Sequence, residues 1–252
     1  MKLTVLGCSG SLPGPDSAAS GYLVEADGYR IVLDMGNGAL GPLQQHVAPN
    51  KVDAIILSHL HADHCLDMTA YIVALRYGPG RAAALRDEPR IPVLGPPGTK
   101  DRIEAAYDPL ARKLGLHELF DFRAPSDTEL GPFEVAFAAM NHPVPANAIR
   151  LRVGGRTLVY SGDTGESDAL VTLAQDADVL LSEATMGPDD PYIPNLHLTG
   201  AEAGEHAKRA GVDRLIVTHV PPWGSREVAA SEAATTFSGP VEAAQPGATY
   251  EI

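Results

Sequence analysis

The sequence predicts an α/β (α+β) fold, a four-layer αββα sandwich in which two β-sheets pack face to face between outer helices, and three observations point to it. Short apolar runs rich in β-branched residues come in two sets, each followed by segments with helical patterning. No shift in composition marks a boundary along the 252 residues, and a hydrophobic content of 44% is enough to bury a sizeable core, so residues 1–252 are expected to form a single domain. Finally, the residues able to bind a metal stand directly after apolar runs, where a strand would end.

Taken in order, Met1 to Gly7 reads as a strand, and the small, turn-forming residues from Gly7 to Ser17 form a loop whose backbone N–H groups could approach an anion. Runs 21–25 and 29–34 pair as a hairpin around Ala26-Asp27-Gly28. Asp34 then precedes Met35-Gly36-Asn37-Gly38 and a helix to about His46, and run 52–57 is a strand covered on both faces. Leu66, Thr69, Ala70, Val73, Ala74 and Tyr77 have helical spacing, which Gly78-Pro79-Gly80 should stop. Residues 81–90 read as a surface loop or a lid, 91–94 as a strand, 97–114 as mostly helical and 133–138 as an alternating strand. Runs 148–153 and 156–160 pair around Gly154-Gly155. Strand 179–182 runs into Glu183. Thr199 and Glu202 have the spacing of a capping box, with Gly211 placed to close that helix, and strand 215–218 presents His219.

Charge narrows the function. There are 19 basic against 32 acidic residues, a net charge of −13, and no basic run able to track phosphates, which counts against long nucleic acids as partners. Two cysteines, Cys8 and Cys65, are too few for a disulfide framework. The N-terminus lacks the apolar core of a signal peptide and no apolar run approaches bilayer length, so a cytoplasmic location without membrane contact is expected. Cys65 reads as an inert buried thiol.

The chemistry concentrates in Ser58-His59-Leu60-His61-Ala62-Asp63-His64, where four potential metal ligands fall within six residues at the end of strand 52–57. Imidazole and carboxylate together suit zinc or another first-row divalent ion. His142, Asp163 and His219 each follow an apolar strand in the same way, and seven ligands are what two ions need. One ion would take His59, His61 and His142, the other Asp63, His64 and His219, with Asp163 able to bridge them. His46, His117 and His206 lack the strand-end setting and read as structural.

These residues resemble the metallo-β-lactamase superfamily: His59-x-His61-x-Asp63-His64, then His142, Asp163 within Ser-Gly-Asp-Thr, and His219, over nearly the whole chain. Glu183-Ala184-Thr185 and His197-Leu198-Thr199 are similar to two further motifs of its ribonuclease Z-like branch, although Ser182 stands where that branch often has a histidine. Ribonuclease Z enzymes carry a long arm that grips tRNA between the positions matching His142 and Asp163, and here that interval is only a hairpin. The Gly7 to Ser11 loop, His142-Pro143-Val144-Pro145 and the segment from Thr218 to Trp223 look more like short bacterial cyclic-nucleotide phosphodiesterases.

The resemblance implies the metallo-β-lactamase fold, two divalent ions (zinc, with manganese or iron as alternatives), a small phosphodiester substrate and a homodimer. Asp63 would orient the attacking hydroxide, and His197, with Glu183 accepting its other N–H, would protonate the departing sugar oxygen. Tyr160 and Trp223 could stack on a base, but a core tyrosine and a structural tryptophan are the plainer readings. Arg76, Arg81 and Arg86 of the lid region read as a solvated face. The alternatives are an RNA-processing endonuclease, a lactone, thioester or β-lactam hydrolase, and a binding module that has lost activity.

Overall fold

The computed structural model describes residues 1–78, 90–108, 115–187, 190–191 and 193–252. Arg81 and Arg86, most of the lid segment, and the end of the helix read to residue 114 lie outside the described residues.

The first sheet contains β1 (Lys2–Ser9), β2 (Ala18–Ala19), β3 (Gly21–Ala26), β4 (Tyr29–Leu33), β5 (Ala54–Ile56), β6 (Ile91–Leu94) and β7 (Phe120–Arg123). The second contains β8 (Thr128–Leu130), β9 (Phe133–Ala139), β10 (Asn147–Val153), β11 (Arg156–Tyr160), β12 (Val179–Glu183), β13 (Arg214–Thr218) and β14 (Val241–Ala243), and β15 (Thr249–Glu251) returns to the edge of the first sheet beside β1. Between them run α1 (Leu40–His46), α2 (Ala62–Cys65), α3 (Met68–Tyr77), α4 (Thr99–Tyr107), α5 (Asp168–Leu173), α6 (Gly200–Ala210) and α7 (Arg226–Thr236). The four-layer arrangement is the one expected, and β7, β8 and the short C-terminal strands add to it.

Period-two alternation explains the layers. Ile31 and Leu33 of β4, Ala54 and Ile56 of β5, and Val179 and Leu181 of β12 point into the core between the sheets. Val32 and Ile55 point the other way, against α1 and α3, while Leu180 faces α5, α6 and α7. A fully buried aliphatic side chain contributes about 1.5–3 kcal/mol, so strands anchored on both faces hold their ends firmly. Both predicted hairpins turn on two left-handed residues, Asp27 and Gly28 (φ 50° and 80°) and Gly154 and Gly155 (φ 58° and 79°), which matches the twist of the strands they join.

Topology decides where the strand ends fall. β4, β5, β6 and β7 run parallel, as do β11, β12, β13 and β14. β9 is antiparallel to β10, which is antiparallel to β11, so β9 and β11 point the same way. The residues after β4, β5, β9, β11, β12 and β13 therefore share one edge of the sandwich, where ligands bind in sheets of parallel strands.

Two details differ from the sequence reading. The Gly7 to Ser17 loop turns its N–H groups inward: Gly10 donates to Val220 O, Leu12 to Gly10 O and Gly14 to Ser17 O, so these are spent on the fold rather than offered to an anion. Asp63 and His64 lie not in a loop but on α2, a single helical turn with Asp63 favourably placed at its start. It separates from α3 at Asp67, whose backbone N–H donates to Met35 O and whose Oδ2 accepts the Leu40 N–H. Gly36 lies so close beneath α2 that an added Cβ would stand 1.9 Å from Asp63 O. Gly36→Ala is expected to lose about 1–3 kcal/mol by overpacking. A thermal melt with an unchanged midpoint would contradict this close packing.

Candidate metal centre

His59 and His61 follow β5, Asp63 and His64 sit on α2, His142 follows β9, Asp163 follows β11 and His219 follows β13. The structure brings all seven together. His61 Nδ1 lies 3.0 Å from His59 Nε2 and 3.2 Å from His142 Nε2, and Asp163 Oδ2 is 3.7 Å from His59 Nε2. On the other side, His219 Nε2 lies 3.0 Å from His64 Nε2 and 3.1 Å from Asp63 Oδ2. Asp163 Oδ1 is 3.2 Å from His64 Nε2 and 3.5 Å from His219 Nε2. One carboxylate thus presents one oxygen to each trio.

What lies behind four of the five rings fixes which nitrogen faces the cluster. His64 Nδ1 is 2.7 Å from Asp34 Oδ2, and a carboxylate only accepts, so Nδ1 carries the hydrogen and Nε2 offers a lone pair. His142 Nδ1 donates to Leu196 O at 2.9 Å. Thr185 gives its hydroxyl hydrogen to Glu183 Oε2 (2.7 Å), so its Oγ1 accepts from His219 Nδ1 (2.8 Å). Ser58 Oγ likewise donates to Asp34 Oδ2 (2.7 Å) and accepts from His59 Nδ1 (3.1 Å). Lone pairs about 3 Å apart repel one another unless a cation lies between them. Tetrahedral ligands at metal–nitrogen distances of 2.0–2.1 Å stand about 3.3 Å apart, close to the spacings found here. Asp163 Oδ1 is buried with no hydrogen-bond partner among the described residues, which an ion would also satisfy. The donor set therefore fits divalent metal, and His59, His61, His142 and Asp163, like Asp63, His64 and His219, could hold it.

The electrostatics agree for the first trio, whereas at His64 the charges of Asp163 and Asp34 outweigh burial and raise it well above the usual histidine range, so an ion there would displace the Nε2 proton. Burial, aided by the neighbouring His64, holds His59 well below the usual histidine range, and burial also lowers His61 and His142, which keeps them neutral as ligands must be. Burial alone would raise Asp163, but the imidazoles beside it, His219 and His64 foremost, outweigh it and hold its carboxyl well below the usual range.

Asp163 also groups with His197 and His219, yet His197 approaches it with Nδ1, at 3.8 Å, the nitrogen already bonded to Glu183 Oε1 at 2.9 Å. His197 therefore stands beside the cluster, its ring centroid 5.5 Å from that of His142 and 5.6 Å from that of His219. Burial pushes its pKa down, but the charge and hydrogen bond of Glu183 prevail and raise it to about 9. Glu183 is fully buried at the end of β12 and also accepts from the N–H groups of Thr164, Thr185 and Leu198.

Three residues at the site escape the sequence reading. Asp34, Ser58 and Thr185 hold the ligands from behind, and Asp34 carries the same signal as the ligands, an acid directly after the apolar strand β4. Tyr160, one of the two candidate stacking residues, lies in the core and donates to Asp34 Oδ2 at 2.8 Å. Trp223, read as structural, is instead 69% exposed. Burial pushes the Cys65 thiol up to about 11, as suits an inert cysteine. His206 accepts the Ser167 N–H and donates to Glu202 O as a structural residue, and neither His46 nor His117 joins a ligand cluster among the described residues.

Residues 29–220 match the family model of the beta-lactamase superfamily domain. The chain belongs to this superfamily. The Mycobacterium leprae protein ML1173 is 46% identical, with 100% of this chain and 89% of that protein covered. The probable metallo-hydrolase YhfI of Bacillus subtilis is 32% identical with both chains fully covered, and its crystal structure superposes with a TM-score of 0.88 over 100% of this chain and 99% of that one. Ribonuclease Z of Mycobacterium bovis is 29% identical, covering 96% of this chain and 95% of its own length. The chain is a metal-dependent hydrolase of the metallo-β-lactamase fold, related to ribonuclease Z. None of its described helices is long and apolar enough to cross a membrane.

Metal bound only by the folded state stabilises it by about 2.7 kcal/mol at a hundred times its dissociation constant. Returning zinc or manganese to chelator-treated protein should therefore raise the melting temperature by about 5–10 °C, at 2–4 °C per kcal/mol for a chain of this size. In Asp163→Asn the rise should shrink, and an undiminished rise would remove Asp163 from the metal centre.

Proposed function

We propose that the chain is a dinuclear phosphodiesterase acting on a small phosphodiester, with 3′,5′-cyclic nucleotides as the substrate class. The observation that carries this reading is the His197–Glu183 pair at 2.9 Å, set beside the ligand cluster and outside it. Expelling a sugar alkoxide from phosphorus needs a proton donor, and a carboxylate-backed imidazolium is one.

His59, His61 and His142 would hold one divalent ion and Asp63, His64 and His219 the other, with Asp163 facing both. The ions, zinc before manganese or iron, would supply charge that polarises the phosphoryl group and lowers the pKa of water from about 15.7 toward 7. Asp63, held ionised by the neighbouring His219 and His64 against the opposing effect of burial, would accept a hydrogen bond from the attacking water and orient it. His197 would keep Nδ1–H on Glu183 and pass the Nε2 proton to the departing oxygen. The similarity to ribonuclease Z favours a second reading, cleavage of precursor tRNA. Against it stand the net charge of −13 and the span from β10 to β11, a hairpin turning on Gly154 and Gly155 alone.

Steady-state hydrolysis of cyclic AMP, cyclic GMP, bis-p-nitrophenyl phosphate and a precursor tRNA by metal-reconstituted protein tests these readings together. Cyclic-nucleotide turnover is expected. Cleavage of tRNA alone would favour the second reading, and inactivity toward every phosphodiester would sink both. In His197→Ala, kcat for cyclic nucleotide should fall at least about 10²-fold with metal content unchanged. The p-nitrophenyl ester should be largely spared, because its leaving group needs no proton, and equal losses on both substrates would contradict the assigned role. The donor must be protonated, so kcat should decline as pH rises through about 9. Glu183→Gln removes the charge that raises this pKa, and the decline should move to lower pH. A limb that stays in place would exclude the pair.

A further inference from the structure

The two halves of the cluster are built alike but not charged alike. The half formed by His59, His61 and His142 has three imidazoles, two of them only partly buried, and Asp163 is the one carboxylate grouped with them. The half formed by Asp63, His64 and His219 is buried throughout and contains a carboxylate of its own. Behind it stands another, Asp34, with no exposed surface and Oδ2 2.7 Å from His64 Nδ1. The corresponding supports of the first half are neutral, a backbone carbonyl behind His142 and the Ser58 hydroxyl behind His59. Asp34 reaches that half through the same hydroxyl.

A carboxylate on the far nitrogen of a histidine ligand makes the ring more basic and fixes its orientation, and losing such a partner weakens metal binding about 10- to 100-fold. Asp63 adds a full negative charge in the same half, in surroundings that screen it little. Asp34 itself is held in the left-handed region, at φ 58°, by donors from both sheets: the Ser58 N–H and hydroxyl on one side and Tyr160 on the other. That backbone conformation is costly for a non-glycine residue, and it aims the carboxylate at His64.

We infer that the two half-sites fill in sequence, the Asp63, His64 and His219 half first, and that Asp34 is the positioning residue that sets this order. The inference rests on the two-metal reading above and concerns affinity rather than turnover. It is tested by calorimetric titration of chelator-treated protein with Zn²⁺, with a competing chelator to resolve the tighter step. Wild type should show two events at least about tenfold apart. Asp34→Asn should weaken the tighter event by about 10- to 100-fold while leaving the weaker within about threefold, and persistence of the weaker event shows that the variant is folded. His142→Ala should remove the weaker event alone, and since it leaves Asp34 untouched it tests the order even if Asp34→Asn does not fold. Two events of equal affinity, loss of the tighter event in His142→Ala, or equal weakening of both in Asp34→Asn would overturn the inference and leave the two-metal reading standing. A single event in wild type would overturn both.

Discussion

Hydrogen bonds accepted by two buried carboxylates, Asp34 and Glu183, are the constraint on which the rest of this molecule depends. A carboxylate sealed from water is costly unless its lone pairs are filled, and each of these is filled from several directions. Asp34 takes donors from Ser58, His64 and Tyr160, so it ties the first sheet to the second while it orients a ligand. Glu183 takes Thr164, Thr185, His197 and the Leu198 N–H, gathering the connection after β11 and both ends of the one after β12 around one point.

These anchors work because the sandwich delivers its strand ends to one edge. Strands apolar on both faces cannot slip without exposing a core, and the parallel runs from β4 and from β11 bring successive C-termini side by side. The ligand-bearing residues then meet at separations that suit a cation and would be repulsive without one. Rigid scaffolding and electrostatic need point to the same geometry, as is usual for sites carried on firm elements.

Much of this is legible in the residues. The hairpins, the capping box at Thr199 and Glu202 with its left-handed Gly211, and the strand-end setting of His142, Asp163 and His219 are local patterns, and the structure reproduces them. Other features were not legible because they depend on partners distant in sequence. The break between α2 and α3 is made by Asp67 reaching back to Met35 and Leu40. The glycine-rich loop looks open to anions until its N–H groups are seen turned toward Val220 and Ser17. Trp223 has the composition of a core residue but follows two prolines on a surface turn.

By itself the sequence determined which side chains are candidates for the chemistry, because potential metal ligands, the His197 and Glu183 motifs and the strand runs before them are properties of residue type and short-range spacing. Only the tertiary structure decided how they are divided and oriented. It assigns one oxygen of Asp163 to each trio, sets His197 beside the cluster, and places Asp34 behind His64, thirty residues away along the chain. The reason is physical: the tautomer of a histidine and the charge behind it are fixed by hydrogen bonds across the fold, and these bonds do not exist until the two sheets have closed on each other.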